Sequence, residues 1–543
     1  MAKPKLALIP AAQGDKFYSV LPSDGVGDFD FTRNSSATRI APTGFIQEVG
    51  AFGSELVTNG NFDNNSDWSL GSGWSISGGN AVGVTASGNL QQNIGVIASK
   101  QYKLTFNVTA YTSGSLSVDL GGSSAQTTSG VGLKTFNFTT TSTGNLRFYG
   151  GSFSGSIDNV SVIQVIGNQS RLNYDLLNGK VVNCPHYLLE PARTNILSYS
   201  EDFSNAYWNK LGSSVVSGFT SPDGGLNAYK LVEDSANLQH GLLRSNFPIN
   251  VQRTLSVFAK KGENNRIFIS DYNKFGATIG VIFNIEIGIV ESNQNDSVYL
   301  NPKIESYPND WYKCSVTWTN STGLTVPLFG NAVSGTNSYQ GDGVSGIYVF
   351  GAMFEEGSYP TSYIPTNGTA ITRAAETADG SGDAATFNDS EGVLMLEASA
   401  LANDGTNRMI SLSDGSSNNR ILIKYDNITN RLEFFVFSGG VGEYSFITTS
   451  LITTSNNKIA FKYKQNDFEI WGNGFELDTN TSGNTPIGLS ELSFDDGSGS
   501  NNFYGKTREL QYFDSVLTDA QLETLTSWTS LQEMITSQLY TNY

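Results

Sequence analysis

Four aromatic side chains beside predicted loops have the chemistry that sugar binding requires. Each follows a short segment in which an acidic or amide residue precedes phenylalanine, and they are Trp68, Trp74, Tyr207 and Trp208. An exposed ring can stack on the C–H face of a sugar while neighbouring polar side chains bond its hydroxyl groups. The alternative is that a tryptophan at the start of a β-sandwich fills its core. The sequence predicts a glycan-binding role for these four residues and leaves that alternative open.

No local motif marks a hydrolytic active site. A glycosidase needs two carboxyl groups roughly 5–10 Å apart, and among 50 Asp and Glu residues some pairs meet that distance by chance. A Ser-His-Asp triad would have to use His186 or His240, and neither lies near a Gly-x-Ser-x-Gly turn. Phosphate-binding, dinucleotide-binding and zinc motifs are also missing. The sequence therefore predicts no catalytic residue, no required cofactor and a protein that is not an enzyme.

Arginine is scarce in this chain, which draws attention to four of them: Arg33, Arg39, Arg193 and Arg373. They could form a ligand site. They could instead lock neighbouring strands or subunits together, because a guanidinium fork pairs with carboxylates such as Glu190 and Glu376. The second interpretation is the one we adopt as the prediction.

Length and charge exclude some classes of partner. The 543 residues carry a net charge of -18, and only 15% of them are charged. No basic patch is available to neutralise phosphates, so nucleic-acid binding is not expected. No apolar run approaches the roughly 20 residues that cross a bilayer, so membrane insertion is not expected either. A chain of this length predicts about three or four domains.

Hydrophobic periodicity predicts the fold class. Apolar and polar residues alternate in segments such as 102–108 and 255–260, which is typical of strands with one buried face. Turn signals such as Asn59-Gly60 and Asp414-Gly415 recur every ten or so residues. We therefore predict an all-β, multidomain chain of consecutive antiparallel β-sandwiches with a short C-terminal helix that Thr518 caps.

Composition divides the chain into five parts. The predicted ranges are a strand-rich opening at 1–53 that is continued by 167–197, a sandwich at 54–166, a larger sandwich at 198–376, a third sandwich at 377–516 and a terminal helix at 517–543.

Three strings resemble the tail-fibre and related virion proteins of bacteriophages. They are FTRNSSATR at 31–39, LLEPARTN at 188–195 and YPTSYIPT at 359–366. The resemblance implies a structural subunit of a tail, neck or head fibre, located in the virion, that contributes to binding of host-surface glycans. The alternatives are a polysaccharide depolymerase tailspike and a ligand-free virion spacer or capsid decoration protein.

Individual ranges carry broader resemblances. Residues 54–166, from LVTNGNFDNNSDW to GSIDNVSV, resemble a carbohydrate-binding jelly roll, residues 198–376 read as a second jelly roll, and residues 377–516 resemble a concanavalin-like or laminin-G-like sandwich. The first resemblance implies a structural Ca²⁺ with oxygen ligands from Asp63, Asp67 and Asp158. The same side chains could instead cap ordinary Asx-turns.

The resemblance also implies partners. Fibres of this kind usually form homotrimers and attach to other virion proteins through the N-terminus, here about residues 1–50. A single copy would leave the apolar face of the terminal helix uncovered, with the residues Leu525, Trp528, Leu531, Met534 and Ile535. We therefore expect a homotrimer.

The placement of residues 54–166 predicts an inserted module. The segments on either side of it resemble neighbouring parts of one element in the similar virion proteins. A jelly roll brings its ends together, so its insertion strains the host domain little. We therefore expect strands from residues 28–50 to pair with strands from residues 171–197.

Overall fold

The computed structural model of the chain describes residues 3–50, 52–167, 169–245, 247–275, 280–293, 295–320 and 323–529. Within these ranges the chain is almost entirely antiparallel strands, turns and loops, with an eight-residue helix near the C-terminus. The predicted all-β sandwich class is confirmed. None of the described helices is long and apolar enough to cross a membrane.

Six strands open the chain. They are β1 (Leu6–Gln13), β2 (Lys16–Leu21), β3 (Phe29–Thr32), β4 (Ala37–Ile40), β5 (Ile46–Val49) and β6 (Phe52–Glu55). The first three pair in antiparallel order, whereas β4 and β5 form a hairpin of their own.

The next eight strands build a sandwich together with β6. They are β7 (Ser69–Leu70), β8 (Trp74–Ser77), β9 (Asn80–Ala86), β10 (Asn89–Asn93), β11 (Gln101–Leu120), β12 (Gln126–Thr128), β13 (Gly132–Thr139) and β14 (Asn145–Val165). The two longest strands, β11 and β14, pair along most of their length. Register shifts midway allow both strands to bend, so their alternating apolar residues, Leu104 and Phe148 among them, face one core.

Three strands follow this sandwich: β15 (Leu172–Leu177), β16 (Lys180–Leu189) and β17 (Arg193–Asn195). The next range forms two facing six-stranded sheets. Its elements are β18 (Asn209–Leu211), β19 (Ser213–Phe219), β20 (Ala228–Glu233), β21 (Asn237–Leu238), β22 (His240–Leu243), β23 (Gln252–Lys261), β24 (Arg266–Asp271), α1 (Tyr272–Phe275), β25 (Val281–Asn284), β26 (Ile289–Asn293), β27 (Leu300–Tyr307), β28 (Trp311–Thr319), β29 (Pro327–Asn331), β30 (Tyr339–Gln340) and β31 (Gly346–Glu356).

The two sheets of this second sandwich have the strand orders β18-β22-β29-β24-β25-β26 and β19-β20-β31-β23-β28-β27. Their facing sides share a core that includes Phe203, Trp318 and Phe354.

The next strand, β32 (Ile371–Arg373), pairs with β17 in a two-stranded sheet. The remaining elements form the third sandwich. They are β33 (Thr377–Asp379), β34 (Glu391–Ala400), β35 (Arg408–Ser413), β36 (Arg420–Tyr425), β37 (Leu432–Ser438), β38 (Val441–Thr448), β39 (Asn457–Lys464), β40 (Phe468–Gly472), β41 (Phe475–Asn480), β42 (Glu491–Ser493), β43 (Gly505–Phe513) and α2 (Asp519–Thr526). A five-stranded sheet, β38-β37-β36-β35-β42, faces an eleven-stranded sheet.

The N-terminal strands belong to that larger sheet. Its order is β33-β3-β2-β1-β43-β34-β39-β40-β41, with β16 joined to β43 and β15 to β16. Leu6 lies opposite Tyr512 and Leu8 opposite Leu510, and both leucines are fully buried in the core of the third sandwich. The opening residues and the range 377–516 therefore share one sheet and one core, although they are far apart in sequence.

The inserted position of the first sandwich is visible in its end strands. Phe52 lies opposite Val165, and Glu55 lies opposite Ile163, so the chain enters and leaves at one place. The predicted pairing of residues 28–50 with residues 171–197 is wrong as a strand ladder. Instead β4 pairs with β5 and β15 with β16, since each pair is joined by a tight turn and uses its backbone groups locally.

The helix α2 covers the outer face of the large sheet. Leu522 and Leu525 pack on Met395 and Trp471, and the backbone N–H of Thr518 donates to Gln521 Oε1 at 3.0 Å. Leu525 is thus covered within one chain and supplies no argument for a trimer. Leu531, Met534 and Ile535 lie outside the described residues, and the trimer stays a prediction.

Excision of the inserted sandwich is expected to leave the rest of the chain folded. Replacing residues 55–165 by a short Gly/Ser linker reconnects neighbouring strand ends and removes few contacts, such as the 2.6 Å ion pair of Lys103 with Glu48. Calorimetry should show the remaining unfolding transitions near their original temperatures.

A matched deletion of residues 6–32 is expected to give insoluble protein, because it removes Leu6 and Phe17 from the core of the third sandwich. Aggregation of the excised protein would contradict the insertion.

Candidate functional site

The three predicted tryptophans are core residues. Trp68, Trp74 and Trp208 are 6%, 7% and 3% exposed. The indole N–H of Trp68 donates to Asn59 O at 3.0 Å, and that of Trp208 donates to Tyr199 O at 2.8 Å. Rings enclosed to this degree present little face for sugar stacking, and a glycan-binding role for the three tryptophans stays a prediction that their burial argues against.

Tyr207 is half-buried, and the guanidinium of Arg244 lies 4.1 Å from its ring centroid. One face of the ring is therefore occupied within the protein. The tyrosine hydroxyl accepts a hydrogen bond from Ser198 N at 3.2 Å. A glycan-binding role for Tyr207 stays a prediction.

The predicted calcium ligands make local hydrogen bonds. Asn61 Nδ2 donates to Asp63 Oδ2 at 2.6 Å, Ser66 Oγ donates to Asp67, and the Asn159 N–H donates to Asp158 Oδ1 at 2.6 Å. Within the described ranges, no three His, Cys, Asp or Glu side chains are grouped to hold a metal ion. The three aspartates alone do not provide the six to eight oxygens that Ca²⁺ takes, and none of these three bonds is that of an Asx-turn, in which the side-chain oxygen accepts from the backbone N–H two residues on. A structural Ca²⁺ stays a prediction.

Two of the four noted arginines lock strands as predicted. Arg33 Nη1 lies 2.6 Å from Glu376 Oε1, and Arg373 Nη1 lies 2.9 Å from Glu190 Oε2. All four side chains are buried. The pair of Arg33 with Glu376 joins the virion-like string at 31–39 to the segment that follows the string at 359–366. The pair of Arg373 with Glu190 joins that same segment to the string at 188–195.

The other two arginines make different contacts. Arg39 donates to the side chain of Gln47. Arg193 lies 3.7 Å from Glu355 and over the ring of Tyr359 at 5.3 Å. Both side chains contact other residues of the protein, and neither set of contacts supports the alternative that these arginines form a ligand site.

Arg171, which sequence reasoning missed, is the centre of this buried network. Its Nε donates to Glu376 Oε1 at 2.8 Å, its Nη2 donates to Glu190 Oε2 at 2.9 Å, and its Nη1 donates to Thr38 O at 2.6 Å. We call the five side chains the arginine hub: Arg33, Arg171, Glu190, Arg373 and Glu376. The hub joins the N-terminal strands to the chain segments that precede and follow the second sandwich.

Burial and charge set the ionisation of the hub. Burial by itself raises the pKa of Glu190, but Arg373 and Arg171 overcome this and hold that pKa well below its usual value. Burial lowers the pKa of Arg33 to about 10 although Glu376 opposes the shift. The Glu190 carboxylate therefore contributes to stability as an anion.

The hub predicts a loss of stability in acid. Because the folded pKa of Glu190 is depressed, its contribution is complete above the unfolded value of about 4.3 and falls as the pH drops further. Burial and the neighbouring Asp223 raise the pKa of Glu201 to about 7. Between about pH 4.5 and 7 this group therefore makes the protein more stable as the pH falls. The comparison of unfolding temperatures accordingly starts at pH 5. Calorimetry should show the unfolding temperature falling from pH 5 to pH 3.

The variant Glu190→Gln is the control for this acid loss, since it should have a shallower dependence over the same interval. Equal slopes for the variant and the parent protein would assign the loss to other carboxyl groups.

The open side of the five-stranded sheet is the best candidate for ligand binding. Register places one outward row across the sheet, and it consists of Ser493, Ser411, Leu422, Phe435 and Ser445. The adjacent outward row contains Glu491, Ser413, Arg420 and Phe437. Neighbouring core residues, including Ile421, Phe434 and Val436, face the other sheet. We call this outward surface the open face.

Two phenylalanines dominate the open face. The rings of Phe435 and Phe437 are stacked, with centroids 5.9 Å apart and planes 30° apart, and both residues are half-buried. The guanidinium of Arg420 lies 5.0 Å from the centroid of Phe437. Accessible rings beside polar side chains are the combination that sugar binding uses.

A loop at residues 495–501 forms one wall of the open face. It covers Ser411 and Ser413, which are fully buried, and Asn501 O accepts a hydrogen bond from Met409 N at 2.9 Å. Gly497 has φ +84°, and a Cβ there would lie 2.9 Å from Ser413 Cβ. Glycine therefore permits the close approach that covers β35. Leu422 on β36 is buried as well, so the accessible part of the open face lies on β37 and β38, with Arg420 at its edge.

A sequence signal for the open face was present in β37. Phe434 and Val436 alternate with Phe435 and Phe437, so both faces of this strand are apolar. Such strands are ordinarily covered on both sides. Which side remains open depends on the second sheet, and that is a tertiary property.

Comparison with solved structures finds β folds of carbohydrate-active proteins at low identity. One is CBM40 of the Ruminococcus gnavus IT-sialidase bound to α2,3-sialyllactose, with 14% identity, a TM-score of 0.23, and coverage of 27% of this chain and 94% of that chain. A mutant of NanB sialidase from Streptococcus pneumoniae has 14% identity and a TM-score of 0.23, and the match covers 26% of this chain and 25% of that chain. A native glycosidic hydrolase has 10% identity and a TM-score of 0.18, and the match covers 61% of this chain and 99% of that chain. These likenesses concern the fold alone.

No protein-family model matches the sequence, and no curated protein sequence matches it either.

Proposed function

We propose that the protein is a structural subunit of a bacteriophage fibre and that it contributes to binding of host-surface glycans. The observation that carries the structural part is the arginine hub. Residues from or beside all three virion-like strings, among them Arg33, Glu190 and Ser362, meet in it. The three strings therefore supply residues to a buried network that holds the sandwiches together, as a fibre subunit requires.

The open face supports the glycan-binding part of the proposal. Its two stacked phenylalanines lie beside Arg420 and the polar loop at residues 495–501. A partly exposed surface of this kind suits reversible binding. The inserted sandwich would then act as a side module of the fibre.

Replacing both Phe435 and Phe437 by alanine is expected to weaken glycan binding by about 5- to 150-fold, since the lost stacking area is worth about 1–3 kcal/mol. A glycan array would first identify bound sugars, and calorimetric titration would then compare the variant with the parent protein.

Phe475→Ala is the matched control, because Phe475 is 72% exposed on β41, away from the open face. Unchanged affinity of the double variant would remove the open face as the site. Release of reducing ends from a bound polysaccharide would favour the depolymerase alternative.

Location in a virion, a homotrimeric state and attachment through the N-terminal region complete the proposal. Antibody labelling of particles tests the first, and light scattering at micromolar concentration tests the second. A truncation of residues 1–30 is a poor test of attachment, since β1 is an interior strand of the large sheet. Substitution of the exposed Tyr18 and Val20 on β2 is a better one.

A further inference from the structure

The cations beside the open face are already neutralised. Lys424 Nζ lies 2.7 Å from Asp426 Oδ1 and 2.7 Å from Glu433 Oε2, and Arg431 Nη2 lies 2.9 Å from Glu433 Oε1. This cluster of two cations and two carboxylates has no net charge. It lies at the β36–β37 pair, next to the row of Phe435.

Arg420 is held differently from these two cations. Its Nη1 donates to the backbone carbonyl of Asp496, and its Nε is buried without a hydrogen-bond partner. Burial lowers its pKa while Asp496 opposes the shift. Its guanidinium is therefore directed across Phe437 and toward the loop.

The wall of the open face is acidic. Glu491 lies in the outward row beside Ser413, and Asp495 and Asp496 begin the covering loop. Gly380 N donates to Glu491 Oε1 at 3.1 Å, which brings Asp379 to the same edge.

The field at this edge is negative enough to affect ionisation. Burial first, and then the carboxylates of Asp495, Glu491 and Asp30, raise the pKa of Asp379 to about 6. The raised pKa of Asp379 is the expected response to burial first and to the neighbouring negative charges second.

We propose that the open face selects uncharged sugars, such as hexoses and N-acetylhexosamines, and discriminates against glycans that carry carboxylate or sulfate groups. This inference rests on the proposed glycan-binding function. Uncharged C–H faces stack on Phe435 and Phe437, and sugar hydroxyl groups can donate to the half-buried Glu491, whereas the carboxylates of Asp495 and Asp496 are buried and bonded within their own loop. An anionic group would meet Glu491, Asp495 and Asp496 at distances over which charges still interact at low salt.

The competing arrangement is a carboxylate sugar bound to Arg420. Two observations oppose this arrangement. Arg420 Nε is buried, and the loop residue whose backbone carbonyl accepts from Arg420 Nη1 is itself an aspartate, Asp496. Binding there would place a second anion beside Asp496 without an additional cation.

The experiment compares matched glycans that differ by one charged group, such as N-acetyllactosamine and its sialylated form, or a neutral hexose oligosaccharide and its uronate counterpart. Calorimetric titration at low salt is expected to give about 3- to 10-fold weaker binding for the anionic member. The difference should shrink in 0.5 M NaCl. Glu491→Gln, which keeps an oxygen for Gly380 N, should also reduce it.

The outcomes separate the two proposals. The proposed function is overturned if the protein binds no glycan, or if the double variant with Phe435→Ala and Phe437→Ala binds glycans with the affinity of the parent protein. Binding that needs the phenylalanines but is equal or tighter for the anionic member overturns the charge selection alone. Loss of that anionic binding in Arg420→Gln would then identify the competing arrangement.

Discussion

Glu376→Gln is expected to lower the free energy of unfolding by about 3–5 kcal/mol, the usual cost of leaving a buried charge without its partner. Both carboxylate oxygens of Glu376 accept hydrogen bonds, from Arg33, from Arg171 and from the backbone N–H of Glu190. An amide at this position must point its NH₂ group at one of these donors. It also leaves three buried guanidinium groups with the single charge of Glu190.

Urea unfolding followed by tryptophan fluorescence, together with calorimetry, measures this effect. Glu286→Gln is the control, because its ion pair with Lys261 is about half exposed and such pairs are worth about 0–1 kcal/mol. If Glu376→Gln fails to fold, Ser362→Ala tests the hub more mildly. It removes hydroxyl hydrogen bonds in the hub, including the 2.5 Å bond to Glu190 Oε2, and should cost about 1–2 kcal/mol. Stability equal to the parent protein in both hub variants would contradict a structural hub.

Trp68→Ala is expected to destabilise the inserted sandwich by about 3–5 kcal/mol, as large-to-small changes of buried aromatic residues do. Its ring packs against Phe62 at 5.1 Å and Phe148 at 6.3 Å between centroids, and its N–H bonds Asn59 O. Because the sandwich of residues 54–166 has its own core, the variant should unfold this module while the third sandwich keeps its transition.

Limited proteolysis followed by mass spectrometry would locate the cleavage sites in Trp68→Ala, which should fall between residues 54 and 166. Leu133→Ala is the control, because Leu133 is 72% exposed on the same module. A stable Trp68→Ala protein with weakened glycan binding would instead restore the stacking role that burial argues against.

Local patterns determined the fold class and many of the strands. The predicted strand-rich opening at residues 1–53 contains β1, which spans Leu6–Gln13. Thr518 precedes α2 as its cap, as expected. Alternation and turn residues act over a few neighbouring positions, so these features can be inferred without knowledge of the rest of the chain.

Strand partners were decided at longer range. Nothing near β1 in sequence indicates that it lies beside β43, about 500 residues later. Likewise, the predicted ladder between residues 28–50 and 171–197 was replaced by local hairpins and by side-chain bonds from Arg171 and Asn173 to β4. Many partners satisfy a strand's hydrogen bonds equally well, so the choice depends on which apolar faces can share a core.

The sequence alone determined that this is an acidic, all-β, multi-sandwich chain, and it predicted that arginines such as Arg33 and Arg373 pair with carboxylates such as Glu190 and Glu376. The tertiary structure decided which arginine meets which carboxylate. The tertiary structure decided which aromatic residues are available to a ligand. Trp68, Trp74 and Trp208 have the right type for sugar stacking but are enclosed in the cores of their sandwiches, whereas Phe435 and Phe437 resemble core residues and remain partly accessible. The physical reason is that residue type sets the tendency to be buried, but exposure depends on whether a second layer covers that face of the sheet.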